Sequence, residues 1–348
     1  GGGNGSGADG ANPMTLAAAE LALATTDVIV LVNNGSAISA AGSNGNDTLA
    51  LLADTQVRGF GQGPLALTLT VPSTILLSSN TINIADPTGN GAATLTSAAG
   101  ANVITLGASG NRISGFILDG APGGALRGII DNGGATGTVV NFMTIRNFAA
   151  VGGYGVEITP STNTVIDNVT FTGNTNDILL NAAGSTISNV AAIGATGTSI
   201  TLDNATGTTA LTNVNISGAA TGLSFTNGAG TINATNVDIG GAATSALVVS
   251  GGTASFNFDG ASSIIQAAGG LTLNFTGNHT IGTFAFAGLI NATSGNGMQF
   301  SNADGTYNFT GTTTLNGGNA GIDIYNGATG TFAFGSGTTL THNGAGNA

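Results

Sequence analysis

Short runs in which apolar and polar residues alternate recur at a nearly constant interval along the chain. The clearest examples are pairs of apolar residues separated by one residue: Val156/Ile158, Ile178/Leu180, Ile200/Leu202, Leu223/Phe225, Leu247/Val249, Leu271/Leu273, Met298/Phe300 and Ile322/Ile324. The first members of successive pairs lie about 24 residues apart, an interval within the range that repeat architectures use. Alternation with a period of two predicts β-strands with one buried face. The sequence therefore predicts a repeat architecture in which each repeat stacks on its neighbours.

A series of asparagines keeps step with these pairs. Each follows a short β-like run and directly precedes a valine: Asn168, Asn189, Asn213 and Asn236, with Asn141 assigned to the same series. Asparagine tolerates the left-handed backbone region and can therefore form the sharp bend between two strands. Stacked repeats would align these side chains into a ladder, in which each amide donates to the next carbonyl.

An aromatic motif continues the repeat beyond residue 250. Gly282-Thr283-Phe284-Ala285-Phe286 recurs from Gly305 and again from Gly330, once in each of the next two repeats. We predict that the rings stack inside the fold, where such pairs contribute roughly 0.5–1.5 kcal/mol each beyond their buried area. The predicted interior rings are Phe284, Phe286, Tyr307, Phe309, Phe332 and Phe334.

The first residues have a different pattern. The stretch from Asn12 to Ala24 favours a helix, with Pro13 in its first turn. Met14, Leu16, Leu21 and Ala24 would give this helix an apolar face that covers the first open strand edge. We therefore divide the chain into an N-terminal extension with a capping helix, residues 1–26, and a repetitive body, residues 27–348. No second cap is predicted at the C-terminus, so we expect either that the sequence is a segment of a longer protein or that another chain covers that end.

Together these patterns predict an all-β fold, a right-handed single-stranded parallel β-helix of about a dozen coils with a short N-terminal capping helix. Three short strands and their turns account for a repeat of this length. At about 4.8 Å between neighbouring strands, the rod would be roughly 60 Å long.

Composition and charge narrow the functions that such a rod can have. Charged residues are only 6% of the chain, there are 60 glycines and no cysteine, and the net charge is −12. Nucleic-acid binding requires clustered Lys and Arg, and is therefore excluded. Docking to an anionic membrane is disfavoured for the same reason, and no apolar run approaches the length of a membrane span.

Three segments resemble the pectate-lyase-like right-handed β-helix superfamily, and within it the passenger regions of bacterial autotransporters, inverse autotransporters and giant repeat adhesins. They begin at Asp9-Gly10-Ala11-Asn12-Pro13, at Leu52-Ala53-Asp54 and at Gly155-Val156-Glu157-Ile158. The resemblance implies the fold and a secreted, bacterial cell-surface location. It does not specify the function, because the superfamily includes lyases, tailspikes, adhesins and spacers.

Candidate catalytic groups are few. Lyases of the superfamily would use acidic residues with Ca²⁺ and a basic residue, for which Arg112, Arg127 and Arg146 with Asp119 and Asp131 are the candidates. Their spacing does not match the repeat, so we interpret them as surface ion pairs. The other carboxylates are expected to point outward without forming a dyad: Glu157, Asp167, Asp177, Asp203, Asp238 and Asp323.

Metal and ligand sites are equally sparse. The segment Gly42–Ala50 resembles one nonapeptide of a Ca²⁺-binding β-roll, which makes Asp47 a weak Ca²⁺ candidate, and no other cofactor is expected. His279 and His342 lack ligand partners at local spacing and are interpreted as solvated loop residues. Tyr154 and Tyr325 are the best candidates for exposed aromatic residues.

The sequence therefore favours a non-enzymatic extracellular structural or adhesive rod, which self-associates into a fibre or contacts other surface proteins. One alternative is a carbohydrate-binding adhesin or tailspike-like module that contacts a polysaccharide or a host or neighbouring cell surface. The other is a polysaccharide lyase or hydrolase.

Overall fold

The computed structural model describes residues 16–21, 24, 27–31, 36–40, 48–61, 65–68, 81–84, 91–121, 124–131, 133–266, 269–293, 295–316 and 321–341. Within them the chain forms a parallel β-solenoid of about eleven turns, as the repeat predicts. Almost every described strand pairs in parallel with the strand one turn later, so hydrogen bonds connect each turn to the next.

One side of the solenoid, sheet 1, contains eleven described strands, all parallel. Its strands are Leu49–Ala50, Asn102–Leu106, Arg127–Asp131, Tyr154–Thr162, Asn176–Ala183, Thr198–Asp203, Thr221–Thr226, Ser245–Ser250, Leu271–Thr276, Gly297–Ser301 and Ile322–Tyr325.

The other sides belong to one bent sheet, sheet 2, with nineteen described strands. They are Val28–Val30, Ile38–Ser39, Gln56–Arg58, Thr94–Thr96, Arg112–Ser114, Ile117–Asp119, Val139–Arg146, Val165–Thr172, Thr186–Ile193, Thr208–Ser217, Thr231–Gly240, Ser255–Phe258, Ser263–Gln266, His279–Phe286, Leu289–Ala292, Ala303–Phe309, Thr313–Asn316, Thr331–Phe334 and Thr338–Thr341. A single long strand crosses the bend in the central turns, whereas two short strands replace it elsewhere.

Two elements depart from the winding. The strands Leu65–Thr68 and Thr81–Ile84 form a separate antiparallel pair. A helix at Leu16–Leu21 lies against the strand Leu49–Ala50. Leu21 is 85% exposed, so it does not belong to the apolar face that the sequence predicted for this helix. Pro13 and Met14 lie outside the described residues.

The register confirms the apolar pairs with one correction. Leu273 pairs with Leu247, and Phe275 pairs with Val249, so the apolar pair of that turn is Leu273/Phe275. Leu271 lies two residues earlier and pairs with Ser245 at the start of the strand, before the apolar pair. A period of two cannot distinguish registers that differ by two residues, because both put the same set of side chains on the buried face.

The asparagine series lies at the bend of sheet 2. Asn168, Asn189, Asn213 and Asn236 have φ values of +52° to +54°. Asn236 donates to Asn213 at 3.0 Å, and Asn213 donates to Asn189 at 3.0 Å. Asn189 donates to the Asp167 carboxylate at 2.8 Å, which ends the ladder before Asn168.

The assignment of Asn141 to this series is wrong. Asn141 pairs with Asp167, so Phe142 occupies the bend position, with a φ of +56° and 40% exposure. Because Phe142 has no amide group, the ladder cannot continue into that turn.

The aromatic motif lies in the C-terminal part of the core. Phe284, Phe286, Tyr307 and Phe309 are at most 1% exposed. Phe332 and Phe334 are partly buried and stack on Tyr307 and Phe309, each with ring centroids 4.8 Å apart.

Replacing Asn213 with alanine is expected to destabilise the protein by about 2 kcal/mol. Alanine loses both ladder hydrogen bonds and retains the strained left-handed backbone. Chemical denaturation should show this loss, whereas Asn213→Gly should recover much of it because glycine relieves the strain. Asn215→Ala, at an exposed position of the same strand, is the control; an equal loss there would contradict the role of the bend.

Candidate functional site

Longer connections border sheet 1 in one part of the solenoid. The chain leaves sheet 2 and enters sheet 1 through residues 120–126 and, one turn later, through residues 147–153. The corresponding connections two and four turns further are shorter, residues 173–175 and 218–220. At the opposite edge of sheet 1, residues 132–138 form another long connection. The strands Arg127–Asp131 and Tyr154–Thr162 therefore lie in a region of sheet 1, here named the trough, with long connections beside both strand ends.

An ion pair joins the two residues that directly precede the connections 120–126 and 147–153. Arg146 donates to Asp119 at 2.8 Å, and the Asn147 side chain donates to the same carboxylate at 2.9 Å. Burial disfavours the charged carboxylate, but the hydrogen bonds from Asn147, the Ala121 backbone and Arg146 outweigh it and hold the pKa of Asp119 below its ordinary value. The carboxylate thus stays ionised and keeps the two connections together.

The floor of the trough contains Arg127, Tyr154 and Glu157. Arg127 pairs in register with Tyr154, and Ile130 pairs with Glu157, so the three polar side chains occupy adjacent outward positions on two strands. Arg127 and Glu157 form an ion pair, with side chains 23% and 18% exposed. This arrangement presents charged donors and acceptors beside an aromatic ring.

The phenol of Tyr154 remains neutral. Partial burial raises its pKa, the Glu157 charge raises it further, and Arg127 acts in the opposite direction. A neutral phenol can both donate and accept a hydrogen bond.

The rows of Tyr154 and Glu157 carry no charge over the next five turns of sheet 1. The row of Tyr154 continues as Asn176, Thr198, Thr221, Ser245 and Leu271, and the row of Glu157 continues as Leu179, Thr201, Ser224, Val248 and Asn274. The trough therefore differs in chemistry from the five turns that follow it in these two rows.

Asp177 lies on the next strand of sheet 1 after Tyr154–Thr162 and faces the interior of the solenoid. The prediction that it points outward is wrong. It is fully buried and accepts hydrogen bonds from Asn174 at 2.8 Å and Ser199 at 2.7 Å. The Asn174 carbonyl oxygen also accepts from the Phe148 backbone at 3.0 Å. Burial outweighs these bonds and raises the pKa of Asp177 to about 6. Asp177 thus joins the interior of the solenoid to the connection 147–153.

The remaining candidates do not form a catalytic group. Asp131 caps its own turn by accepting from the backbones of Gly133, Gly134 and Ala135. Arg127 lies on sheet 1, whereas Arg112 and Arg146 lie on neighbouring strands of sheet 2, where Arg112 pairs with Val139 at the opposite end of the strand from Arg146. No group of three His, Asp or Glu side chains within the described ranges is arranged to hold a metal ion.

The other predicted positions are scattered. The carboxylates of Asp167, Asp203 and Asp238 accept hydrogen bonds from neighbouring Asn or Ser side chains. Asp323 is exposed, and Tyr325 is 42% exposed, in keeping with its prediction as an exposed aromatic residue. Asp47 and His342 lie outside the described residues.

The interpretation of His279 as a solvated loop residue is wrong. It is fully buried, with Nδ1 2.8 Å from the Tyr307 hydroxyl and Nε2 2.9 Å from the Ala254 carbonyl oxygen. Because a carbonyl can only accept, Nε2 carries the proton and Nδ1 accepts from Tyr307. Burial lowers the pKa of His279, so the neutral ring is favoured.

Comparisons with known proteins support the fold. No protein-family model and no curated protein sequence matches the chain. Within its described part, no helix is long and apolar enough to cross a membrane. The catalytic unit of a thermostable GH87 α-1,3-glucanase from Streptomyces thermodiastaticus strain HF3-3 is similar in structure, with a TM-score of 0.54 and 14% identity over 94% of this chain. The match covers 65% of the glucanase chain, which is less than two thirds of its length.

Two further solved structures align more weakly. They are the tailspike protein gp49 of Acinetobacter baumannii bacteriophage Fri1, a capsular polysaccharide depolymerase, and an endo-xylogalacturonan hydrolase from Aspergillus tubingensis. Their TM-scores are 0.25 and 0.28, with 11% and 14% identity; the matches cover 74% and 92% of this chain and 51% and 92% of theirs. Only the glucanase alignment is close enough to support a shared fold.

This similarity corrects one prediction. The sequence predicts a non-enzymatic rod, because its candidate catalytic groups are few and do not match the repeat spacing. A catalytic unit has the same architecture, so that exclusion is wrong. The chain is therefore a parallel β-solenoid, similar in fold to the α-1,3-glucanase catalytic unit.

Proposed function

We propose that the protein recognises a polysaccharide in the trough of sheet 1, as a carbohydrate-binding β-solenoid of the tailspike-like or adhesin type. The observation that carries this proposal is the adjacency of Arg127, Tyr154 and Glu157, in rows that carry no charge over the next five turns. An α-1,3-glucanase catalytic unit shares the fold, which supports a glycan as the class of ligand without specifying the sugar.

The chemistry of the floor suits a sugar. A sugar ring has hydroxyls at its edge, which donate and accept hydrogen bonds, and C–H groups on its faces. The Arg127 guanidinium supplies donors, the Glu157 carboxylate supplies acceptors, and the Tyr154 ring supplies an apolar surface with a polar tip. Because Arg127 and Glu157 neutralise each other, the trough favours a neutral sugar over a strongly anionic one.

An extracellular location at a bacterial surface is part of this proposal. The chain has no cysteine and is solvated mainly by uncharged Asn, Thr and Ser. In that setting the partner would be a polysaccharide of a host or neighbouring cell. The solenoid would hold the trough away from the surface of the bacterium that carries it. Self-association and contact with other surface proteins are compatible with this role.

Replacing Tyr154 with alanine is expected to weaken polysaccharide binding at least ten-fold. Truncation of a central tyrosine in a binding surface commonly costs about 2 kcal/mol or more, and a factor of ten in affinity corresponds to about 1.4 kcal/mol. Affinity electrophoresis and calorimetry with a panel of neutral and acidic polysaccharides, including α-1,3-glucan, would measure this effect. The same panel should be assayed for released reducing ends.

Tyr325→Ala is the matched control, because Tyr325 is an exposed tyrosine at the far end of the same sheet. Equal losses in the two variants, or no binding by the unmodified protein to any glycan of the panel, would refute the proposal. Release of reducing ends that Glu157→Gln abolishes would extend the proposed function from recognition to cleavage.

A further inference from the structure

Two arginines lie side by side on sheet 2, on a different face from the trough. The strand Gln56–Arg58 pairs with the strand Arg112–Ser114, with Gln56 opposite Arg112 and Arg58 opposite Ser114. Val57 and Ile113, between them, point into the core and are fully buried. Arg58 and Arg112 are therefore diagonal neighbours on the outer surface of adjacent strands.

The two guanidinium groups influence each other. Burial lowers the pKa of Arg58, and the positive charge of Arg112 lowers it further. The whole chain has a net charge of −12 and only four basic side chains, so two adjacent positive charges are unusual for this surface.

Arg112 differs from the two arginines near the trough. Arg127 pairs with Glu157 and Arg146 pairs with Asp119, whereas Arg112 has no ion pair with any described carboxylate. Its Nε atom is buried and has no hydrogen-bond partner in the described part of the chain. An unmade hydrogen bond at a charged, buried group is costly, which points to a partner that is not part of the described chain.

Uncharged polar groups surround the pair. The carbonyl oxygens of the Gln56 and Asn141 side chains are also buried, with no hydrogen-bond partner among the described residues. Asn141 pairs with Ser114 on the next strand, so it continues the row of Arg58. A side-chain amide can rotate to present its NH₂ group, and both residues could then donate to the same acceptor as the arginines.

We propose that Arg58 and Arg112, with Gln56 and Asn141, form a binding site for an anionic oxygen group such as a carboxylate, sulfate or phosphate. The guanidinium group matches the geometry of these anions and donates to two of their oxygens at once. Arg112 contributes an unpartnered donor, and Arg58 lies diagonally beside it. The site does not depend on glycan recognition in the trough, because it shares no residue with it and lies on another sheet.

The test is thermal unfolding and calorimetry of the whole protein with sodium sulfate, sodium phosphate and sodium glucuronate, at an ionic strength held constant with sodium chloride. A ligand that binds only the folded state raises the unfolding temperature. We expect at least one of these anions to do so, and the comparison distinguishes a carboxylate ligand from a sulfate or phosphate. Arg112→Gln should reduce the affinity at least ten-fold without lowering the unfolding temperature in chloride alone.

Arg146→Gln is the charge-matched control, because it also removes one positive charge but leaves the proposed site intact. It should retain the anion effect, and Tyr154→Ala should retain it as well. The proposal is overturned if none of the three anions stabilises the unmodified protein, or if Arg112→Gln responds as the unmodified protein does. It is also overturned if Arg146→Gln loses the effect to the same extent.

Discussion

Replacing Phe284 with alanine should destabilise the protein by about 3–5 kcal/mol, the usual cost of removing a buried phenylalanine. Phe284 is fully buried, and its ring lies 5.0 Å from that of Phe275 and 5.7 Å from that of Phe309, centroid to centroid. The variant would leave a cavity between three successive turns. Chemical denaturation should show a reduced free energy of unfolding, and hydrogen exchange should show the largest loss of protection in the strands His279–Phe286 and Ala303–Phe309.

Phe142→Ala is the matched control for this prediction. Phe142 is 40% exposed at the bend of sheet 2, so its truncation should cost less than about 1 kcal/mol. If the two variants lost equal stability, the aromatic core would not be the main source of stability in the C-terminal turns.

The second large effect is expected from pH. Burial raises the pKa of Asp177 to about 6 from an ordinary value of 3.8. Between these values the folded protein holds a proton that the unfolded chain has released. The stabilising contribution of protonated Asp177 is therefore fully present below pH 4 and is lost as the pH rises through 6. At about 1.4 kcal/mol per pKa unit, the loss amounts to roughly 3 kcal/mol.

Asp177→Asn tests this expectation, because an amide has nearly the same shape and no charge. Its oxygen can accept from Asn174 and its NH₂ can donate to the Ser199 hydroxyl. The variant should be more stable than the unmodified protein at pH 7.5 and similar to it at pH 4. Asp203→Asn, on the outward row of the next turn, is the control. A gain that is the same at both pH values would show that the ionisation of Asp177 is not its cause.

Much of the fold could be predicted because the spacing of the apolar pairs determines which residues pair between successive turns. Every pair from Val156/Ile158 to Leu247/Val249 has the position that the spacing predicted. The prediction is wrong at Leu271, because the turn from Leu247 to Leu273 is longer than the turns from Val156 to Leu247 and two registers present the same alternation. Spacing thus predicts the fold most reliably where the turns keep a constant length.

The buried polar residues could not be predicted from alternation. In sheet 1 the strand bends at its start, so Asp177 and Ile178 are both buried although they are adjacent in sequence. The equivalent positions in the two preceding turns and in the turn two later are glycines, Gly128, Gly155 and Gly222. An aspartate in this column of small residues was the available signal. His279 was missed because its partner Tyr307 is distant in sequence.

The trough could be predicted only in parts. The sequence predicts that Glu157 faces outward and that Tyr154, which is half-buried, is an exposed aromatic residue, but Arg127 is grouped with Asp119 and Asp131. Its carboxylate partner is Glu157, on the neighbouring strand one turn later. The long connections 132–138 and 147–153 add to the length of this turn, so the separation of the two residues along the sequence exceeds the usual repeat.

The parallel winding also determines how the molecule bears a load. The hydrogen bonds between turns run along the axis of the solenoid, so a pull on its two ends stretches those at one boundary between turns directly instead of shearing many at once. Under tension the chain would unwind turn by turn, beginning where neighbouring turns are held most weakly. The asparagine ladder and the stacked rings reinforce the boundaries that they cross, so those turns would separate only at higher force.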